Sequence, residues 1–378
     1  MTSRRSFLHT SAAIGGALGL LPKGILAQQD PFLWTPQPVS KAPAPLNILI
    51  LGGTGFTGPE QVEYAIARGH RVTLFNRNKT RPDYFKGKVA EELVGDLNND
   101  TSALKGKTFD VVLDNPTTLP AWVRNAAQQL AGNVKHYIFQ STTSVYSDQS
   151  IIGLDENSPV GVLSADIDPY TLDPAHASRY YGPLKVRAEQ EVAKQYPGIW
   201  TVVRPCLIVG PLDRTDRFTY WPARIDRGGE VMAPGTPNDP TQWIDARDLA
   251  EWMIRLAEQK VLGTFNAVGH VRPMSELLYG IKAVTTAGAQ FTWVPAEFLV
   301  ANGVRGWRHM TVWMPPTGAT AGFMSRNNSR AVAAGLTFRP LAVTAADTLA
   351  WNKTRTEAEL KSLAEGAIAG LSAAKEAE

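Results

Sequence analysis

The run Ile48-Leu49-Ile50-Leu51-Gly52-Gly53-Thr54-Gly55-Phe56-Thr57-Gly58 leaves this chain few architectures. Four consecutive aliphatic residues suit a parallel strand buried on both faces. Gly52, Gly55 and Gly58 then predict a tight turn, and Pro59 marks the start of a helix, where a missing N–H costs nothing. The helix ends at Gly69-His70, and a second strand, Arg71 to Phe75, follows at once. A strand, glycine turn, helix and strand in that order is the context in which such glycines bind a dinucleotide. They let backbone amides approach a pyrophosphate whose charge sits at the helix's N-terminal dipole.

Strands and helices go on alternating. A short apolar run, Leu93-Val94, leads into Gly95-Asp96-Leu97, and a short helix is expected over 101–106. A fourth strand, Phe109–Asp114, opens onto Asn115-Pro116, and a helix carrying Trp122 runs to Leu130. The fifth strand, Val134–Gln140, ends in the hydroxyl-rich edge Ser141-Thr142-Thr143-Ser144-Val145-Tyr146. Later come strands at 199–203 and 263–268, with a helix over 249–259 for which Asp248 is the expected cap. The pattern predicts an α/β fold: a Rossmann-type, doubly wound parallel sheet with helices on both faces and ligands at the carboxyl ends of its strands.

The stretch after the second strand bears on which dinucleotide is bound. Folds of this kind that take NAD place an acid near here for the ribose 2′-hydroxyl. This chain has Asn76 and then bases at Arg77, Lys79 and Arg81. Cations suit a 2′-phosphate, so NADP is favoured, with Arg77 as the lead contact and NAD as the alternative. Asp96 falls where an adenine-facing side chain would lie.

A second chemical motif is Tyr181-Gly182-Pro183-Leu184-Lys185 at a helix start. Residues four apart share a helix face. A free tyrosine titrates near 10, so it acts as a base at neutral pH only with a cation beside it, which Lys185 is placed to supply. Cys206 is the only cysteine, which excludes an internal disulfide framework and a zinc cluster, and it reads as a packed apolar residue. The six histidines show no close ligand spacing, so no metal site is expected.

The amino-terminus reads as an address. Arg4-Arg5 precede the apolar run Ala12–Leu21, and a small-residue exit follows at Ile25-Leu26-Ala27. That order matches a twin-arginine export signal over residues 1–27, implying the export machinery as a partner and a periplasmic or exported location. The apolar run is too short and glycine-rich for a membrane span, so none is expected in the mature form. The first 27 residues carry Arg4, Arg5 and Lys23 but no acid, which leaves 35 basic and 35 acidic residues in the remainder. A neutral mature chain gives no support to a nucleic-acid surface.

Residues 28–45 hold five prolines and read as an extended linker on which Phe32 and Trp34 are the docking candidates. The cofactor domain is placed at 46–210, with 243–268 returning to it, and a substrate-binding region at 211–242 and 269–352. That region is rich in tryptophan, and core packing is the favoured account of it over ligand stacking. Residues 353–378, rich in Ala, Glu and Lys, read as a solvated helical tail.

The glycine turn, the hydroxyl edge before Val145-Tyr146, Tyr181-x-x-x-Lys185, Arg204-Pro205 and Trp243-Ile244-Asp245-x-Arg247-Asp248 occur in one order. That order resembles the extended short-chain dehydrogenase/reductase family of the NAD-dependent epimerase/dehydratase type, over roughly residues 46–352. The resemblance implies a catalytic set of Thr142, Tyr181 and Lys185. Tyr181 exchanges the proton on a substrate oxygen, Lys185 lowers its pKa and holds the nicotinamide ribose, and Thr142 bonds the same oxygen. It also implies a cofactor set of Gly52, Gly55, Phe56, Thr57, Gly58, Asn76, Arg77, Asp96, Leu97 and Asn115, joined by Tyr181 and Lys185. Dimerisation through helices flanking the sheet is implied by the family alone.

Family dehydratases carry Asp-Glu after the catalytic Thr, whereas this chain has Thr143-Ser144, which argues against water elimination. The expectation is an exported NAD(P)-dependent oxidoreductase or epimerase acting on a hydroxyl/carbonyl pair, on a sugar or small alcohol, with a tightly held nicotinamide. The alternative is a non-catalytic nucleotide- or RNA-binding member of the same fold, a role some family branches have.

Overall fold

In the computed structural model, residues 38–358, 360 and 369–378 are described. The expected export signal, Phe32, Trp34 and part of the tail lie outside the described residues. Seven strands form the central sheet: β1 (Asn47–Leu51), β2 (Arg71–Asn76), β3 (Glu91–Val94), β4 (Phe109–Asp114), β5 (Val134–Gln140), β6 (Trp200–Pro205) and β7 (Gly263–Ala267). Their order is β7-β6-β5-β4-β1-β2-β3, and every pairing is parallel. This is the expected Rossmann-type doubly wound arrangement.

The period of two along β1 explains the layers. Ile48 and Ile50 pack into one core, with Val62 and Ala65 of α1 (Gly58–Arg68) and Leu249, Trp252 and Met253 of α4 (Ala246–Gln259). Leu49 and Leu51 point the other way. They pack with Val123, Ala127 and Leu130 of α2 (Pro120–Leu130) and Ala188 and Val192 of α3 (Tyr181–Gln195). Ile48, Leu49, Ile50 and Leu51 are all fully buried, so no polar side chain fits at those positions. The strand order reverses at β1, which opens a crevice beyond the carboxyl ends of β1 and β4.

A second core lies outside this sheet. Phe218, Trp221, Leu277, Ile281, Met310 and Trp313 fill it. It includes a parallel pair, Gly229–Pro234 with Ala289–Val294, and the helices Met274–Lys282 and Leu341–Asn352. From Val39 to Glu378 the chain is one compact unit.

Three local expectations need correction. Helix α4 begins at Ala246, three residues early, because Asp245 rather than Asp248 caps it by accepting a hydrogen bond from the Arg247 amide. Asp248 instead accepts from Arg339 at 2.7 Å. The short helix expected at 101–106 is a single 3-10 turn, Ser102–Leu104. The end of the chain is not a solvated tail. Ala369 and Leu371 are buried, and Gly370, at φ +98°, runs so close to Tyr220 that a Cβ would meet its ring at 2.2 Å. Glu376 accepts from Arg224 at 2.6 Å. Composition alone misses this, because two apolar residues and one ion pair dock a segment that is otherwise polar.

Candidate functional site

The glycine turn closes as its spacing requires. Gly52 has φ +77°, a left-handed conformation open to glycine, and its carbonyl accepts from the Gly55 amide at 3.1 Å. Gly58 starts α1, and a Cβ there would lie 2.5 Å from the Gly52 oxygen and 2.6 Å from the Gly53 Cα. Only glycine lets the helix start abut the turn. Thr57 precedes the helix without capping it through its side chain, which leaves the helix start open to an anion.

Beyond the turn lies a cleft of about 410 Å³. It is lined by Gly52, Gly55, Phe56, Thr57, Asn76, Arg77, Asp96, Leu97 and Asn115, nine of the residues read from the sequence. Gly58 stands behind them as the first helical residue. Pro116, Trp122, Gln140 and Ile208 also line the cleft and were not in that set. The Asn76 Oδ1 is buried without a partner, an acceptor left open at the place where a ribose or adenine donor would fall. Arg77 and Lys79 are exposed in the cleft wall, and among the described residues neither has an ion pair. The cleft's size, its open helix start and this orphan acceptor fit a dinucleotide.

Asn115 lines the cleft and is held there by a neighbour. Its amide is engaged both ways with Gln61, at 2.9 and 2.7 Å, so it offers a wall rather than a free donor. Asp96 keeps Oδ1 on the Asn98 amide at 2.9 Å, which pins the loop, and Trp122 donates to the Asn98 side chain.

Past Gln140 the hydroxyl edge meets α3. A Cβ on Gly182 would fall 2.2 Å from the Ser144 carbonyl, so this glycine allows the first turn of α3 to approach the edge. Arg204, on β6, grips Glu189 of α3 at 3.0 and 2.7 Å, and Ser141 donates to the same carboxylate. This accounts for the arginine of Arg204-Pro205: it fixes the helix that carries Tyr181. Thr142 accepts from the Ser144 amide at 3.1 Å and its hydroxyl donates to the Ser144 hydroxyl at 3.2 Å.

Lys185 is brought to the same edge but aims elsewhere. It is 3% exposed and donates to the carbonyls of Thr117 and Gln140, at 2.5 and 2.7 Å, which bridges the ends of β4 and β5. Burial lowers its pKa to about 8, and Asp114 and Glu189 oppose the fall. Tyr181 keeps 39% of its surface exposed, yet crowding pushes its phenol above the ordinary value of 10. The Thr142 hydroxyl and the Arg217 guanidinium act against that rise. Burial outweighs the groups that lower the Tyr181 phenol. The lysine's charge is spent on two carbonyls, and the cation that reaches the phenol comes from a distant segment. Cys206 is pushed up to about 12 by burial, which makes it an inert packing residue.

The fold and the cleft define a dinucleotide-binding α/β protein with a tyrosine–threonine pair at the far end of its site. The chain belongs to the NAD dependent epimerase/dehydratase family, whose profile matches residues 48–267. It is 27% identical over 226 residues to the chloroplast stem-loop binding protein of 41 kDa b of Arabidopsis thaliana. That match spans 54% of this chain and 53% of that protein, about half of its length. UDP-N-acetylglucosamine 4-epimerase from Bacillus cereus superposes with a TM-score of 0.56 at 18% identity, covering 82% of this chain and 98% of that one. The Bordetella bronchiseptica enzyme WbmG, in complex with NAD and UDP, gives 0.58 at 15% identity, with 82% and 95% covered. At these identities the likeness to both structures concerns the fold.

Proposed function

We propose that the chain is a nicotinamide-dependent oxidoreductase or epimerase that interconverts a hydroxyl and a carbonyl on a small molecule, exported with its cofactor held. The observation that carries this reading is the close approach of the Tyr181 helix start to the Thr142–Ser144 edge, just past Gln140 where the dinucleotide cleft ends. A bound nicotinamide would supply the hydride acceptor or donor. The chain's own groups handle the proton. A phenol held above 10 is protonated at neutral pH, so Tyr181 starts as an acid that protonates a carbonyl oxygen as charge develops on it. Thr142 orients that oxygen. Lys185, whose ammonium already rests at the ends of β4 and β5, sits where the ribose next to the nicotinamide would receive a hydrogen bond.

NADP is favoured over NAD. Among the described residues Arg77 and Lys79 have no ion pair in the cleft wall, and Arg81 just beyond has a buried Nη1 with no hydrogen-bond partner. Asn76, which stands where an acid would repel a phosphate, supports the same choice. The Arg4-Arg5 signal reading supports export, and a compartment without free nucleotide favours a cofactor that stays bound. Mass spectrometry of nucleotide released from natively purified protein tests both points: NADP(H) is expected, and protein recovered empty overturns the held-cofactor reading.

The 27%-identical stem-loop binding relative favours a second reading, a non-catalytic RNA-binding role. Salt-dependent RNA binding by the mature chain, together with failure to bind either nicotinamide dinucleotide, would move the conclusion there.

A further inference from the structure

Strand β5 alternates as β1 does. Tyr137 and Phe139 pack into the core of α2 and α3, and Ile138 into that of α1 and α4. Gln140 therefore continues the Ile138 face, on the side of α1. Pairing with β4 stops at Asp114 and Phe139, whereas Gln140 still pairs with Val203 of β6. The glutamine thus stands one residue past the end of β4, where the cofactor cleft opens, and it lines that cleft.

An amide that ends an apolar strand face needs partners. Thr57 supplies one: its hydroxyl donates to the Gln140 Oε1 at 3.3 Å. Thr57 can do so because its side chain does not cap α1. On the main chain, the Gln140 carbonyl accepts from the Lys185 ammonium at 2.7 Å. One residue so joins the open helix start to the lysine. Its Nε2 is left over, with two N–H donors. Among the described residues neither donor has a partner, and with Oε1 turned to Thr57 both are offered to whatever fills the cleft.

We propose that Gln140 positions the nicotinamide half of the cofactor, its Nε2 donating to the phosphate nearest the nicotinamide. This rests on the oxidoreductase reading and adds to it the residue that registers the cofactor against the Tyr181 edge. The helix start takes the pyrophosphate's charge, and Lys185 sits where the adjoining ribose would bond. Gln140 is bonded to Thr57 on one side and to Lys185 on the other, which sets it at the phosphate between them. A neutral donor suits that place. A glutamate has the same shape, but it would set a negative oxygen against a negative phosphate.

The test uses the full mature chain cleared of nucleotide, titrated in a calorimeter with NADP+ and with adenosine 2′,5′-bisphosphate. The second probe keeps the adenosine half and lacks the phosphate next to the nicotinamide. Gln140→Met, which keeps the side chain's length, should weaken NADP+ about tenfold or more, because the lost bond is to a charged group. Its affinity for the bisphosphate should stay within about twofold of wild type, the spread of a surface change. Gln140→Glu should weaken NADP+ further than Gln140→Met and also spare the bisphosphate. Melting without ligand shows that each variant is folded, and where Gln140→Met is not, the isosteric Gln140→Glu carries the comparison. Unaltered NADP+ affinity in the folded variants, or equal loss of both probes, overturns the proposal. A wild-type protein that binds neither probe fails the oxidoreductase reading itself, so the two failures are distinguishable.

Discussion

Two glycines of one turn should fail in different ways. In Gly58→Ala the new methyl group would sit 2.5 Å from two backbone atoms and 2.6 Å from a third, nearly an ångström short of ordinary contact. Backbone cannot swing aside as a side chain can, so α1 must lift from the turn. Overpacking of this kind costs about 1–3 kcal/mol. Gly55→Ala meets only the Gly52 oxygen, at 3.4 Å, which is ordinary contact, so the ligand-free fold should lose less than about 0.5 kcal/mol. Its methyl group, however, stands in the cleft wall, where a pyrophosphate needs the bare amide. Thermal or urea unfolding without ligand, combined with NADPH titration, separates the two. Gly58→Ala should lose both stability and binding. Gly55→Ala should keep its stability and lose tenfold or more in affinity, about 1.4 kcal/mol. A Gly55→Ala protein that binds like wild type would refute the passage of a pyrophosphate over this turn.

Tyr181→Phe should lower turnover by about 10²–10⁴-fold while NADPH affinity is kept, since the phenol moves a proton and does not hold the nucleotide; steady-state rates with a titration check this. Glu60, in the first turn of α1, is raised by burial to about 7. The folded chain therefore holds a proton there that the unfolded chain has released, and stability falls as pH rises from about 4.5 to 7. Glu60→Gln should raise the melting temperature at pH 8 and shrink its difference from pH 5; an unchanged difference excludes this carboxyl as a contributor. Leu371→Ala should cost about 2–5 kcal/mol if the final segment is docked in the second core, and an unchanged denaturation midpoint would show that it is not.

The sheet and the cleft wall are legible in the sequence for a physical reason. A strand buried on both faces must be continuously apolar, as Ile48–Leu51 is, and a helix that abuts its own turn must start at glycine, as Gly58 does. Both are local demands. Features missed or misplaced depend on partners far away in the chain. The pairing of Asn115 with Gln61, 54 residues earlier, has no local signal. Lys185 shares a helix face with Tyr181, but the carbonyls of Thr117, just past β4, and of Gln140, at the end of β5, capture its ammonium, and spacing alone cannot show that competition. Gln140 was visible only as the end of a strand, although both its side chain and its carbonyl belong to the site. Asp248 was misread as the cap because the helix starts three residues earlier than its apolar pattern suggests, with Asp245 as its cap and Asp248 bonded to Arg339.

Trp122 lines the cleft, so energy transfer from tryptophan to a reduced nicotinamide reports occupation of the site directly. Titrating the mature chain with NADPH and, in parallel, with NADH is the most direct test that this turn and cleft hold the cofactor. The account predicts saturable transfer with both, NADPH the tighter, and loss of the NADPH advantage in Arg77→Ala. Saturable transfer with neither nucleotide at millimolar concentration would contradict it.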